Sequence, residues 1–87
     1  MIEHLKTSDS QLRALIKRNK IQFGANRNLK IYGKLSCKSG KRMKKENRVF
    51  FGSEEDAISH GYRPCGSCMR REYLLWRNSI AHPITHL

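Results

Sequence analysis

The stretch Gly61-Tyr62-Arg63-Pro64-Cys65-Gly66-Ser67-Cys68 decides the fold, because it sets two cysteines two residues apart around a glycine. This spacing lets both sulfurs reach one tetrahedral ion at about 2.3 Å, with the intervening backbone N–H groups pointing at the sulfurs. Cys37, 28 residues upstream, supplies a third sulfur if the segment between them folds back. We therefore predict that Cys37, Cys65 and Cys68 bind Zn2+.

Other interpretations of the cysteines are three reduced thiols without a metal, or a redox pair, although no βαβ pattern surrounds the Cys-x-x-Cys motif. An odd number of cysteines does not suit a disulfide framework. No apolar run in residues 1–10 resembles a secretory signal. We expect a cytoplasmic protein, in which cysteines at this spacing bind metal. The fourth ligand stays open between a bound water and the histidines at His4, His60, His82 and His86.

Charge points to a polyanionic partner. The 87 residues include 18 Lys and Arg against 7 Asp and Glu, a formal charge of +11. Such an excess destabilises a fold by self-repulsion unless a partner such as nucleic acid offsets it. No segment resembles a basic amphipathic membrane helix, and the longest apolar stretch, residues 73–76, is too short to span a bilayer. A merely solvated basic surface is the plainer alternative.

The remaining pattern predicts a small α+β domain with a short, mostly antiparallel sheet and about three helices. Ser8 and Gln11 form a capping box before a helix at residues 9–19. Residues 21–35 suggest two short strands with a turn, and residues 49–51 a further strand. Ser53 caps a second helix at residues 54–60, and Gly61 ends it. A third helix is expected from Ser67 or Cys68, with Tyr73 and Trp76 in the core.

Size limits the core. A chain this short buries only roughly 60–65% of its unfolded surface, so a metal would add needed stability. We expect one domain at residues 1–77, a flexible tail at residues 78–87 and a monomer.

Three segments resemble the metal-binding domain of the Ada DNA-repair proteins. They are Ile31-Tyr32-x3-Ser36-Cys37, Lys45-Glu46-Asn47-x2-Phe50-Phe51, and Glu54-Glu55-x-Ala57-x3-Gly61-Tyr62-Arg63-Pro64-Cys65-x2-Cys68. The resemblance covers about residues 20–72 in order and nearly in spacing. It implies a zinc domain with four cysteine ligands that binds methylated DNA backbone. In the family, the first cysteine removes a methyl group from a phosphotriester, as a thiolate nucleophile.

The chain departs from this pattern at the methyl acceptor. In the better register the family's first cysteine falls on Gly33 and its second on Cys37. A rival register puts the acceptor at Cys37 and the second ligand at Lys41, but it breaks the matches at Ile31-Tyr32 and Ser36-Cys37. A glycine has no nucleophile, so the better register predicts that methyl transfer is lost.

The expected function is zinc-dependent binding of duplex DNA, mainly through the phosphate backbone. A suicide methyltransferase that uses Cys37 and a zinc-stabilised protein-interaction adaptor are the alternatives. Most of the predicted phosphate contacts lie in the basic stretch after Cys37, with an arginine of the Arg-Pro-Cys motif and the start of the third helix added. These residues are Lys38, Lys41, Arg42, Lys44, Lys45, Arg63, Arg70 and Arg71.

Overall fold

The computed structural model describes residues 1–37 and 42–81, with side chains up to residue 79. Its strands are β1 (Ile2–Glu3), β2 (Phe23–Asn26), β3 (Ile31–Lys34), β4 (Arg48–Phe51) and β5 (Arg63–Pro64). Its α-helices are α1 (Asp9–Lys17), α2 (Glu54–Ser59) and α3 (Arg70–Ala81), and short 3₁₀ helices span His4–Lys6 and Lys45–Asn47. The predicted α+β class is confirmed.

The strands form one sheet in the order β1-β4-β2-β3-β5. Every pairing is antiparallel except that of β3 with β5, where Tyr32 lies opposite Pro64. The predicted strands at residues 21–35 and 49–51 are confirmed as β2, β3 and β4. The two-residue strands β1 and β5, which no alternating pattern announces, were missed.

Local signals set the first two helices. The Ser8 hydroxyl accepts a hydrogen bond from the Gln11 N–H at 3.2 Å, and the Gln11 side chain accepts one from the Ser8 N–H at 3.1 Å. The Ser53 hydroxyl accepts the Asp56 N–H at 3.1 Å, and Gly61 ends the turn after α2 with φ +84°. The caps at Ser8 and Ser53 are therefore as predicted. Side chains of this kind stabilise a helix start because they accept from N–H groups that have no partner within the helix.

One face of the sheet carries the core. It consists of buried side chains from three strands, from α2 and from the chain around β5: Ala25, Tyr32, Val49, Phe51, Ala57, Tyr62 and Met69. Tyr62 packs edge-on against Phe51, with ring centroids 4.8 Å apart. The opposite face of the sheet carries Gly24, Gly33 and Phe50, because side chains alternate along a strand.

The third helix differs from its prediction. It begins at Arg70 and not at Ser67 or Cys68, since residues 66–68 form a turn, in which the Ser67 N–H donates to the Cys65 sulfur. It continues to Ala81, beyond the expected domain end at residue 77. Tyr73 and Trp76 are half-buried and stack on each other at 5.9 Å outside the buried core, which the aromatic rings of the sheet and Tyr62 already fill. Residues 82–87 lie outside the described part of the chain.

No helix within the described ranges is long and apolar enough to cross a membrane.

Candidate metal centre

Cys37 reaches the centre through a turn. Strand β3 ends at Lys34, and the Cys37 N–H donates to the Lys34 carbonyl at 3.0 Å. This hydrogen bond folds the chain back, so that the Cys37 side chain lies beside the strand that precedes it.

Cys65 and Cys68 are brought to the same strand by β5. The Arg63 N–H donates to the Lys30 carbonyl and the Cys65 N–H to the Tyr32 carbonyl, each at 2.8 Å. The Met69 N–H then donates to the Cys65 carbonyl at 3.1 Å, which closes the turn between the two cysteines. Parallel pairing with β3 therefore fixes the Cys-x-x-Cys motif against the turn that carries Cys37.

The three sulfurs form a cluster that fits zinc. All three Sγ atoms lie within 4.8 Å of one another. Tetrahedral zinc with sulfur ligands at 2.3 Å needs sulfur–sulfur separations of about 3.8 Å, so small side-chain rotations suffice. The Lys34 N–H donates to the Cys68 sulfur at 3.3 Å and the Ser67 N–H to the Cys65 sulfur at 3.4 Å. Such donors stabilise thiolates, which are the ligand form.

Protonation of Cys68 depends on the metal. The pKa of its thiol is raised to about 11, chiefly by burial and in part by the adjacent Cys37 and Cys65 sulfurs, and the Lys34 N–H opposes this rise. At neutral pH the thiol therefore keeps its proton until a cation replaces it. The three cysteine residues as a whole are half-buried, with Cys37 the most enclosed in the cluster.

Gly33 faces the cluster directly. A Cβ atom placed on Gly33 would lie 2.7 Å from the Cys68 Sγ and 3.1 Å from the Cys65 Cβ. Position 33 therefore projects into the metal centre, where the better register puts the family's first cysteine. In this chain the glycine lets the Cys68 sulfur approach the backbone of β3.

The candidate fourth ligands are not in the cluster, as far as the described residues extend. His4 packs edge-on against Phe50 with ring centroids 5.4 Å apart, and burial lowers its pKa. His60 has its Nδ1 atom 2.8 Å from the Asp56 carbonyl, and its ring lies against Phe51 at 5.3 Å. His82 and His86 lie outside the described residues.

The predicted DNA-contacting residues fall into three groups. Lys38 and Lys41 lie outside the described residues, whereas Arg42, Lys44, Lys45, Arg70 and Arg71 are exposed. Lys45 also lies 3.8 Å from the exposed Asp9 carboxylate. Arg63 is half-buried and has a structural contact: its guanidinium lies over the rings of Tyr73 and Trp76, at 5.2 and 5.5 Å from their centroids.

Arg48 is a half-buried cation that the sequence analysis did not single out. Its guanidinium lies 5.1 Å from the centroid of the Phe50 ring, over the sheet face that carries Gly24 and Gly33. Burial lowers the pKa of Arg48, and the negative charge of the Cys37 sulfur opposes this effect. The alternation of side chains along β4 could have predicted this orientation. Val49 and Phe51 point into the core, so Arg48 and Phe50 face the other side of the sheet.

Comparison with known proteins places the chain in a family. The model of the metal-binding domain of Ada matches residues 11–70, which is most of the chain and includes all three cysteines of the cluster. This chain belongs to that zinc-binding family. Searches of the curated proteins and of the solved structures found no match.

Proposed function

We propose that this zinc domain binds duplex DNA, mainly through phosphate contacts. We also propose that the domain lacks the methyl-transfer activity of the family, because residue 33 is a glycine. The net charge of +11 on a domain of this family carries the DNA-binding proposal. Seven acidic residues cannot neutralise eighteen basic ones, and a phosphate backbone supplies the missing negative charge.

The distribution of exposed basic residues supports this proposal. Arg42, Lys44 and Lys45 follow Cys37 in the chain, and Met43, which lies among them, lines a surface pocket together with Cys37 and Cys65. Arg70 lies two residues beyond Cys68. Arg42, Lys44 and Arg70 are thus close in sequence to metal ligands or to a residue that lines the same pocket, and we propose that they contact phosphates there, whereas Lys45 lies beside Asp9 of α1.

The direction in which a side chain on residue 33 would point supports the loss of methyl transfer. A side chain at this position would enter the cysteine cluster, as a methyl-accepting ligand must, yet glycine offers no sulfur. Three thiolates with Zn2+ carry a total charge of −1, whereas four carry −2. The missing thiolate therefore gives the domain less repulsion from DNA, and we propose that it binds undamaged DNA constitutively.

The experiment is a titration of plain duplex DNA at several salt concentrations. Contacts to Z phosphates make the logarithm of the affinity fall with the logarithm of salt concentration, with a slope near −0.9Z. A steep slope that is similar for unrelated sequences supports backbone binding. A flat response would reject it and favour the protein-interaction adaptor.

A second measurement addresses the remaining enzyme alternative. After incubation with methylphosphotriester DNA, the protein is analysed by mass spectrometry. An unchanged mass supports the loss of activity, whereas a gain of one CH2 unit on Cys37 would establish that cysteine as the acceptor.

A further inference from the structure

Arg48 differs from the other half-buried arginines of the described chain, which are Arg27 and Arg63. Arg27 donates to the Glu3 carboxylate at 2.8 Å, and Arg63 donates to the Pro64 carbonyl at 3.0 Å. The Nε atom of Arg48 is buried and has no hydrogen-bond partner among the described residues. All seven acidic residues of the chain lie in its described part, and none of them forms an ion pair with Arg48. The charge of Arg48 therefore has no carboxylate to offset it.

A partly buried guanidinium in this state favours an external anion. A buried charge destabilises a fold unless it is paired and its hydrogen-bond donors are satisfied. The negative charge of the Cys37 sulfur acts on Arg48, but a single sulfur does not satisfy a planar fork of N–H donors. Such a fork fits the oxygen atoms of a phosphate or a carboxylate. We therefore looked for a place where an oxyanion can reach Arg48.

The surface pocket beside the metal centre is that place. Its volume is about 310 Å³, and Arg48 and Lys34 line it together with Cys37 and Cys65. The Nη2 and Nε atoms of Arg48 lie 3.5 and 3.6 Å from the position of a Cβ on Gly24, so the guanidinium lies close over β2. None of the described residues that line the pocket is acidic. The two cations also outweigh the charge of −1 that three thiolates give a zinc ion.

The exposed basic segment after Cys37 indicates where the anion comes from. Met43 lines the same pocket, and its neighbours Arg42 and Lys44 are exposed. A DNA strand that contacts these two cations passes the pocket, and each of its linkages carries one negative phosphate. The DNA backbone is therefore the phosphate source that the proposed function already brings to this part of the surface.

We propose that this pocket takes one phosphate of a DNA strand and that Arg48 binds it. The inference rests on the proposed DNA-binding function and adds to it a contact inside the pocket, from a residue of the sheet. The guanidinium donates to the phosphate oxygens, and the phosphate supplies the negative charge that the acidic residues of the chain do not.

The test titrates plain duplex DNA, at several salt concentrations, with the zinc-loaded parent, Arg48→Met and Arg48→Lys, followed by fluorescence anisotropy. Methionine removes the charge and keeps most of the length of the side chain. We expect Arg48→Met to bind about tenfold more weakly at low salt, because a hydrogen-bonded charge pair is lost. Its salt slope should be smaller by about 0.9, the value for one phosphate contact. Arg48→Lys keeps the charge and should keep the slope.

Arg27→Met is the matched control, because this half-buried arginine already has the Glu3 carboxylate as its partner. We expect Arg27→Met to keep the salt slope of the parent. Zinc content and thermal unfolding are measured for every variant, so that a loss of metal or of folding is separated from a loss of phosphate contact.

A measurement on the parent does not depend on the folding of a variant. The Nε–H signals of Arg48 and Arg27 are assigned by triple-resonance NMR in the zinc-loaded protein and followed as duplex DNA is added. We expect the Arg48 signal to shift, because its Nε–H gains an acceptor, and the Arg27 signal to stay in place. Inorganic phosphate is titrated separately as the free form of the same anion.

The outcomes separate this inference from the proposed function. A parent that does not bind DNA rejects both. A parent that binds DNA while a zinc-loaded Arg48→Met equals it in affinity and slope rejects the inference alone, and so does an Arg48 signal that DNA leaves unchanged. Loss of zinc from Arg48→Met with an unchanged slope would make Arg48 a partner of the metal centre and overturn the phosphate contact. A signal that responds to inorganic phosphate and not to DNA would assign the pocket to free phosphate and overturn it as well.

Discussion

Gly33 is the residue that the better register aligns with the family's first cysteine. The resemblance alone allowed two alignments of the chain with the family, with either Gly33 or Cys37 at the first cysteine. Spacing cannot decide between them, because an insertion or deletion of a few residues converts one alignment into the other. The Cβ direction at Gly33, toward the Cys68 and Cys65 side chains, favours the register in which Gly33 replaces the first cysteine.

Gly33→Cys should add a fourth sulfur and weaken DNA binding at low salt. The Cys68 Sγ must first rotate away, because it lies 2.7 Å from the new Cβ position. The site charge then changes from −1 to −2, and one unit charge a few ångströms from a phosphate contributes about 1–4 kcal/mol, with salt screening favouring the low end. Fluorescence anisotropy with duplex DNA at low salt measures the change.

Gly33→Ala is the matched control, since it introduces the same Cβ without a sulfur. Affinity of the alanine variant should stay near that of the parent once its metal content is verified. If Gly33→Cys carries four sulfurs by cobalt absorption and binds DNA as tightly as the parent, the charge argument fails.

At the level of elements, the basic segment after Cys37 should supply most of the DNA affinity. Changing Lys41, Arg42, Lys44 and Lys45 together to Ala should weaken binding similarly across sequences and reduce the salt slope, because phosphate contacts are lost. The matched control removes four exposed basic residues from α1 and the turn after it: Arg13, Lys17, Arg18 and Lys20. Equal losses in both variants would mean that total charge, and not this segment, sets affinity.

The contact between β5 and α3 should depend on Arg63. Its guanidinium covers Tyr73 and Trp76 and donates to the Pro64 carbonyl at 3.0 Å. Arg63→Ala should lower the free energy of unfolding by about 1 kcal/mol, measured by denaturant unfolding of the zinc-loaded protein. The exposed Arg70 is the comparison: Arg70→Ala should change stability by less than about 0.5 kcal/mol. Equal effects would show that the stacking contributes nothing.

Helices with capping residues in the sequence could be predicted, whereas strands that depend on distant partners could not. Ser8 with Gln11, and Ser53 with Gly61, carry their own hydrogen-bonding and backbone signals, so α1 and α2 were found. Strands β1 and β5 have two residues each and exist because distant strands pair with them. The start of α3 was placed two to three residues too early, because residues 66–68 form a turn beside the cysteine sulfurs that the helical spacing after them does not reveal.

For the whole molecule, metal and fold should be coupled. Structural zinc sites supply about 10–16 kcal/mol of apparent binding free energy, comparable with the entire stability of a small domain, about 5–15 kcal/mol. Removal of zinc by a chelator, or Cys65→Ser, should abolish cooperative thermal unfolding monitored by circular dichroism. Re-addition of zinc to the chelated parent should restore it. A chelated sample with an unchanged melting transition would exclude a structural metal.

Zinc affinity should rise with pH. Because the pKa of Cys68 is raised to about 11, its thiol is protonated at pH 7 and must release that proton when zinc binds. Each proton released makes the apparent affinity rise about tenfold per pH unit below that pKa. Calorimetric titrations in two buffers of different ionisation enthalpy count the protons released. Zinc binding at pH 7 without proton release would contradict the raised pKa.

The sheet order also constrains when this domain can fold during synthesis. Both outer strands, β1 and β5, pair with strands far along the chain: β1 has no partner until Arg48–Phe51 is made, and β3 acquires its second neighbour only with Arg63–Pro64. The metal ligands are divided in the same way, since Cys37 leaves the ribosome well before Cys65 and Cys68. Apart from the β2–β3 hairpin, the first half of the chain is therefore made before its partners, and we expect the domain to close late, around its metal.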